Sequence, residues 1–337
     1  KLAPDSIEEL TAIISLYRPG PMRNIPAFIE RKFGRQDIRY PHPKLTELLE
    51  ETYGIIIYQE QVMEIAKILS GFSLGDADLL RRAMGKKDQA EMDRQRDKFI
   101  DGAVERGVDR DQAAGIFDLV NEFAGYGFNK SHAAAYAMIS FQTAYLKALY
   151  PSHFLAAIMS LDLSVAEKLA FFFQEAKRIG VTVEPPCVNR SMADFDVQGG
   201  KVLYALGALK NVGLEAMRHV VSVRETGGPF TDIYDFSRRV DMRIVNKRAM
   251  ENLARSGAFD CLGVSRPTAL ASAEILQKIG VLAAQERESA QVNLFGGIEE
   301  ATPDPDLVTQ PDWSSVEALE HELGAVGFYF GGHPLDD

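Results

Sequence analysis

Only two cysteines, Cys187 and Cys261, occur in 337 residues, far apart in the sequence and in no metal-ligand spacing. That leaves no disulfide framework and no cysteine zinc site, and reduced thiols are the expectation. No apolar run reaches membrane-spanning length and no secretory leader is visible, so a cytoplasmic protein with no membrane partner is expected. There is also no glycine-rich phosphate loop, no GxGxxG after a strand and no self-contained acid-base constellation, which argues against a stand-alone phosphate-handling metabolic enzyme. The chain does not open on methionine, and Lys1-Leu2-Ala3-Pro4 reads as the start of a piece cut from something longer.

Positive charge is scarce overall, with a net charge of -11, but its distribution matters more than its sum. Residues 281–337 hold twelve acids against the single base Arg287, so residues 1–280 are neutral, with 36 bases and 36 acids. Residues 81–98 carry seven bases and four acids, enough for a local basic surface. At 46% hydrophobic content the chain supports a substantial core in two or three subdomains.

The chain is organised around residues 76–131. Asp76 reads as an N-cap, Leu79, Leu80, Ala83 and Met84 fall at helical spacing, and Gly85 suits a left-handed stop. Arg81, Arg82, Lys86 and Lys87 then gather at one helix C-terminus, either as a solvated corner favoured by the helix dipole or as an anion site. Downstream, Gly125 ends an amphipathic helix (Ile116, Leu119, Val120, Phe123) and Ser131 is expected to cap the next, His132 to Tyr150, stopped by Pro151. Between them, Tyr126, Gly127, Phe128, Asn129 and Lys130 form a tight turn. Unpaired N–H groups at a helix start accept anions, and aromatic rings accept a base or sugar face, so corner and turn together suit a nucleoside triphosphate.

Three runs carry a resemblance: Tyr53-Gly54-Ile55-Ile56-Ile57-Tyr58-Gln59-Glu60-Gln61, Leu80-Arg81-Arg82-Ala83-Met84-Gly85-Lys86-Lys87, and Phe123-Ala124-Gly125-Tyr126-Gly127-Phe128-Asn129-Lys130-Ser131-His132. With Tyr17-Arg18-Pro19-Gly20-Pro21 and, more weakly, Gly332-His333-Pro334-Leu335, they resemble the fingers region of the bacterial DNA polymerase III alpha subunits, the C-family replicative polymerases. The resemblance implies a dNTP site at Arg81, Arg82, Lys86, Lys87, Tyr126, Gly127, Phe128, Asn129, Lys130, Ser131 and His132. His132 would lie beside the sugar and help exclude ribose; its bland role is a first-turn histidine with a satisfied hydrogen bond. Arg18 is a phosphate candidate whose alternative is to cap the carbonyls of its own helix, residues 5–17. Gln59, Glu60 and Gln61 either touch template or primer or complement a helix dipole. No catalytic residue is expected in this chain. The family's magnesium carboxylates sit in a palm domain that precedes Lys1, so the chain alone should hold no Mg2+ and should not polymerise.

Along the rest of the chain, residues 45–53 read as a helix, 53–58 as an extended apolar segment and 59–69 as a helix. Ala135, Tyr136, Ile139, Thr143 and Leu146 share one face, a buried-helix pattern. Residues 161–179 are expected to be helical, with Phe171, Phe172 and Phe173 too many rings for one core face. Residues 181–190 read as a connector and 195–204 as a β-hairpin about Gln198-Gly199-Gly200. Asp194 and Asp196 invite a two-metal reading that fails for want of a third carboxylate. Residues 206–222 resemble a helix-hairpin-helix, with Lys210, Asn211, Val212 and Gly213 toward a DNA phosphate; Asn211 replaces the usual first glycine, and asparagine tolerates the left-handed conformation. A further helical pair is expected around residues 244–259, bearing Arg243, Lys247, Arg248 and Arg255. Residues 286–312 read as mobile and acidic. They contain Gln291-Val292-Asn293-Leu294-Phe295, similar to the family's sliding-clamp motif, with Gln291, Leu294 and Phe295 as its anchors. Residues 323–330 read as a strand leading toward a missing domain.

The expected fold is mainly α: a multi-helical polymerase fingers domain (1–190), a β-hairpin and helix-hairpin-helix region (191–280), an acidic segment with the clamp motif (281–312) and a lead-in to a further domain (313–337). The implied partners are primer-template DNA, dNTP, the sliding clamp and other replicative holoenzyme subunits. Two other readings stay open: an error-prone sister polymerase of the same family, which need not share the clamp motif, and a purely structural DNA-binding module.

Overall fold

The computed structural model describes residues 1–86, 89–124, 126–290, 304–332 and 335. The fold is mainly helical with one small three-stranded sheet, and it divides into two compact units, Lys1–Tyr145 and Leu146–Asp337.

The first unit holds α1 (Ile7–Leu16), α2 (Ile25–Lys32), the short α3 (Thr46–Glu50), α4 (Gln59–Ser70), α5 (Leu74–Lys86), α6 (Gln89–Glu105), α7 (Arg110–Ala124) and most of α8 (Lys130–Leu149). Helices α4 to α7 bury one face each around Val62, Ile65, Leu69, Leu80, Phe99, Phe117 and Val120. A smaller core joins Leu16, Phe28, Ile57 and Tyr58. Beside it Glu9, 4% exposed, accepts from Lys32 Nζ at 2.5 Å and Tyr53 Oη at 2.7 Å, a buried ion pair with its lone pairs satisfied.

Two caps differ from expectation. Ser73, not Asp76, caps α5: its Oγ accepts the Asp76 N–H at 3.1 Å while the Asp76 carboxylate accepts the Ser73 N–H and hydroxyl, a reciprocal capping box. Gly85 stays helical within α5. Asn129, not Ser131, caps α8, its Oδ1 accepting the His132 N–H at 2.8 Å, so the helix starts at Lys130. The buried-face expectation for α8 also fails. Only Ala133 and Ala137 are buried, while Tyr136, Ile139, Phe141, Tyr145 and Leu146 are exposed. Its small alanines make the close contact, and the large apolar residues face outward.

The second unit starts from α9 (Pro151–Leu161), which the sequence reading did not anticipate, and α10 (Ala166–Arg178), the helix expected over residues 161–179, which begins only after a break at 162–165. The hairpin is present: β2 (Asp196–Gln198) pairs antiparallel with β3 (Lys201–Leu203), and Gly199 and Gly200 take φ of +57° and +79°. β1 (Val183–Glu184), inside the expected connector, adds parallel to β3. Five helices follow: α11 (Leu214–Gly227), α12 (Ile233–Arg239), α13 (Lys247–Arg255), α14 (Arg266–Ala271) and α15 (Ala273–Ala290), then α16 (Ser315–Val326). Where a strand was expected at 323–330, α16 runs on to Val326, started by the capping box of Ser314 and Glu317, and Gly327 (φ +100°) then turns the chain out of the helix. Phe328 and Phe330 then pack on Phe173, with centroids at 5.3 and 4.7 Å, whereas Phe171 is exposed.

Parts of the acidic stretch are described. Residues 286–290 belong to α15, and residues 304–310 are seated on the unit: Arg238 pairs with Asp304, Tyr234 Oη donates to the Pro305 carbonyl (2.9 Å), and Ser272 Oγ and Thr268 Oγ1 accept the N–H groups of Val308 and Gln310. Gln291, Leu294 and Phe295 lie outside the described residues, as does Lys87.

Candidate nucleotide and DNA sites

The aromatic turn is mounted on the start of α4. The β-branched run Ile55-Ile56-Ile57 is extended, and Gln61, 2% exposed, locks it by accepting the N–H groups of Ile57 (2.8 Å) and Tyr58 (3.0 Å) while donating to Thr52. The turn adds as a parallel bridge: Phe128 N–H donates to the Ile57 carbonyl (3.2 Å) and Gln59 N–H to the Phe128 carbonyl (2.9 Å). Gln59 Nε2 holds the Gly127 carbonyl at 3.2 Å. The Glu60 carboxylate accepts the Lys130 N–H (3.0 and 3.1 Å), and Glu51 holds Lys130 Nζ at 2.7 Å. Gln59, Glu60 and Gln61 therefore support the turn. An anion at the start of α8 would compete with the Glu60 carboxylate already there.

Arg18 clasps the same turn from the end of α1. Its Nε caps the Ser15 carbonyl at 3.0 Å, its Nη2 donates to the Tyr126 carbonyl at 2.7 Å, and the guanidinium stacks on the Phe128 ring at 4.3 Å. The Tyr126 ring lies against Gly20, where a Cβ would come within 2.2 Å of it. What stays outward is an aromatic row: Phe128 and His132 rings at 5.6 Å, His132 and Tyr136 at 4.9 Å, with Tyr126, Ser131 and His132 exposed. Flat faces of this kind suit a base or sugar.

The basic corner contains an acid that the sequence reading passed over. Asp78 accepts Arg81 Nε and Nη2 on one oxygen (2.9 and 2.8 Å) and Arg82 Nε on the other (2.8 Å). The Arg81 hydrogen bond, outweighing burial, holds its carboxyl below the ordinary value. The signal was readable, since Asp78 stands three and four positions before two arginines on one helix. Both guanidiniums are thus pre-oriented, and Lys86 is exposed at the helix end. Helices α4 and α5, 12 and 13 residues long, pack together across the three-residue link 71–73.

In the second unit, Asn211 does take the left-handed conformation (φ +62°), and Gly213 (φ +78°) leads into α11. The first arm of this hairpin is only a 3-10 turn, Leu206–Ala208, and Val212 is buried as its anchor. The Lys210 N–H is taken by the Ala325 carbonyl at 2.8 Å, while Lys210, Asn211 and Gly213 are exposed. Asp194 and Asp196 line a cleft of about 350 Å³ with Arg218, which is 3.8 Å from Asp194. Among the described residues no three His, Cys, Asp or Glu side chains converge as metal ligands.

Two family models match. Residues 1–107 match the bacterial DNA polymerase III alpha subunit finger domain, and residues 180–269 a helix-hairpin-helix motif. Over all 337 residues the chain is 57% identical to the DNA polymerase III subunit alpha of Caulobacter vibrioides, covering 29% of that protein. It is 45% identical over 336 residues to that of Borreliella burgdorferi (29% of it), and 46% over 339 to that of Thermus aquaticus (27%), with 99% of the chain aligned in each. The chain spans under a third of the length of these relatives. With the finger-domain match at one end, the helix-hairpin-helix match further on and whole-chain identity to named alpha subunits, the chain belongs to the bacterial DNA polymerase III alpha subunits.

Proposed function

We propose that this chain supplies the nucleotide-holding and DNA-holding parts of a template-directed DNA polymerase that copies the bacterial chromosome. The observation that carries the reading is the pair Arg81 and Arg82, pre-oriented by Asp78 in α5, in a chain whose relatives are named DNA polymerase III subunit alpha. Phosphoryl transfer relies on positioning and charge neutralisation. Arg81, Arg82, Lys86 and Lys87 bind the triphosphate of the incoming dNTP, with Asp78 releasing the guanidiniums as the more highly charged anion arrives. Tyr126, Phe128 and His132 frame base and sugar. Arg18, Gly127, Asn129, Lys130 and Ser131 hold that frame in place.

Lys210, Asn211, Val212 and Gly213 meet a phosphate of the primer-template duplex without reading sequence. Gln291, Leu294 and Phe295 tether the polymerase to the sliding clamp, and other holoenzyme subunits bind elsewhere. Carboxylates outside this chain would hold magnesium, which would supply charge neutralisation at the transferring phosphates, and the setting is cytoplasmic.

Two experiments test this. The chain alone should extend no primer, whereas a complete alpha subunit carrying this sequence should; extension by the isolated chain overturns the division of labour. The chain should bind purified sliding clamp, and the joint change Q291A, L294A and F295A should abolish that. Absence of binding in the parent chain moves the reading to the error-prone sister branch. If Arg81→Ala changes DNA affinity and its salt slope but not nucleotide binding, a purely structural DNA-binding module is the better reading.

A further inference from the structure

The two cysteines, 74 positions apart in sequence, are neighbours in the fold. The Val188 N–H donates to the Ala258 carbonyl at 2.9 Å, tying the segment after β1 to the segment after α13. The same Ala258 carbonyl accepts the Cys261 thiol at 3.7 Å, which brings Cys261 beside the residue that follows Cys187. The site is built around them. The Cys187 N–H is held by Ser191 Oγ at 3.1 Å. Arg224, 8% exposed, donates to the carbonyls of Val188 (2.9 Å) and Ser191 (2.7 Å) and places a buried cation beside the pair, with Arg190 a second cation near Cys187. Cys187 is half-buried and Cys261 exposed, so a small reagent reaches the site. The two thiols differ in character: the partner thiol, then N–H groups and Arg190, lower the Cys187 pKa against burial, whereas the same contact and burial raise that of Cys261. One nucleophile stands beside one resolving thiol.

We propose that Cys187 and Cys261 form a reversible dithiol site that reacts with low-molecular-weight disulfides and closes to an intramolecular disulfide. The Cys187 thiolate attacks one sulfur of RS–SR, forming Cys187–S–SR and expelling RS⁻. Cys261 then gives up its proton and attacks the Cys187 sulfur, closing the Cys187–Cys261 bond and expelling a second RS⁻. Two thiols are oxidised by two electrons, and the disulfide is reduced to two thiols. Both cysteines lie within the stretch matching the helix-hairpin-helix model, so the bond joins its early and late segments.

The test is incubation of the folded chain with oxidised glutathione, followed by acid quench, intact mass and a non-reduced peptide map. The parent chain should lose two hydrogens, retain no glutathione, show a peptide joining Cys187 to Cys261, and revert with dithiothreitol. The C261S chain should stop with one glutathione on Cys187. C187S should react at least tenfold more slowly than C261S, a gap that should vanish in denaturant, and circular dichroism checks that both variants are folded. A parent chain that ends with glutathione on both cysteines, or equal rates for the two folded variants, overturns the proposal.

Discussion

Arg18 shows how a residue with a phosphate-binding profile can be held by its own protein. Its guanidinium caps Ser15, binds the Tyr126 carbonyl and stacks on Phe128, and burial lowers its pKa from the ordinary value. Arg18→Ala should cost about 1–2 kcal/mol, the sum of a stacking and a hydrogen-bonding contribution, and Arg18→Lys should restore only part, because an ammonium cannot stack and bridge at once. Urea unfolding of the two variants checks this, and equal stability to the parent would contradict it. The Glu9 site gives a pH signature. Burial would raise its carboxyl, but hydrogen bonds from Lys32 and Tyr53 prevail and the folded pKa lies below 4.5. The stability it contributes is therefore complete above the unfolded value near 4.5 and is lost as pH falls through the folded value. Glu9→Gln should flatten the acid limb of a stability-against-pH curve. Lys32→Ala, which leaves a buried charge unpaired, should cost about 3 kcal/mol at neutral pH.

The helix α8 and the turn before it depend on local devices that can be removed singly. Asn129→Ala should cost about 1 kcal/mol through loss of the cap, with Asn129→Ser recovering most of it; thermal unfolding compares the two. Gly20→Ala should be worse than its size suggests, since φ is +99° and the added methyl would overlap the Tyr126 ring. Much of this level was legible. Periodicity located α1, α4, α5 and α7, Gly199-Gly200 announced the hairpin, and Asn211 took its left-handed turn. Less legible were features that depend on neighbours. Apolar spacing alone cannot separate a buried stripe from the exposed face of α8, because the contact is made by its alanines. Residues 323–330 read as a strand, although Ser314 and Glu317 had already started a helix that runs to Val326. Parallel β1 is two residues long and borrows its pairing from β3. Cys187 and Cys261 meet only through the tertiary Val188 to Ala258 hydrogen bond.

At the scale of the whole molecule, a net charge of -11 coexists with a candidate phosphate site because the acids are concentrated after residue 280. Within the first 280 residues, Arg81 and Arg82 are held by one carboxylate, leaving a net cation ready for a larger anion. The resemblance in the sequence pointed to these arginines but not to Asp78, which sets their geometry. The central claim is that this corner holds the triphosphate. The measurement that tests it most directly is dNTP titration of primer extension in a complete alpha subunit carrying this sequence, parent against Arg81→Ala with Arg82→Ala. Loss of two charge-assisted contacts worth about 1.5–3 kcal/mol each predicts a fall in kcat/KM for every dNTP of about a hundredfold or more, with primer-template affinity and its salt slope unchanged. An unchanged kcat/KM, or a loss that follows DNA affinity instead, would contradict the account.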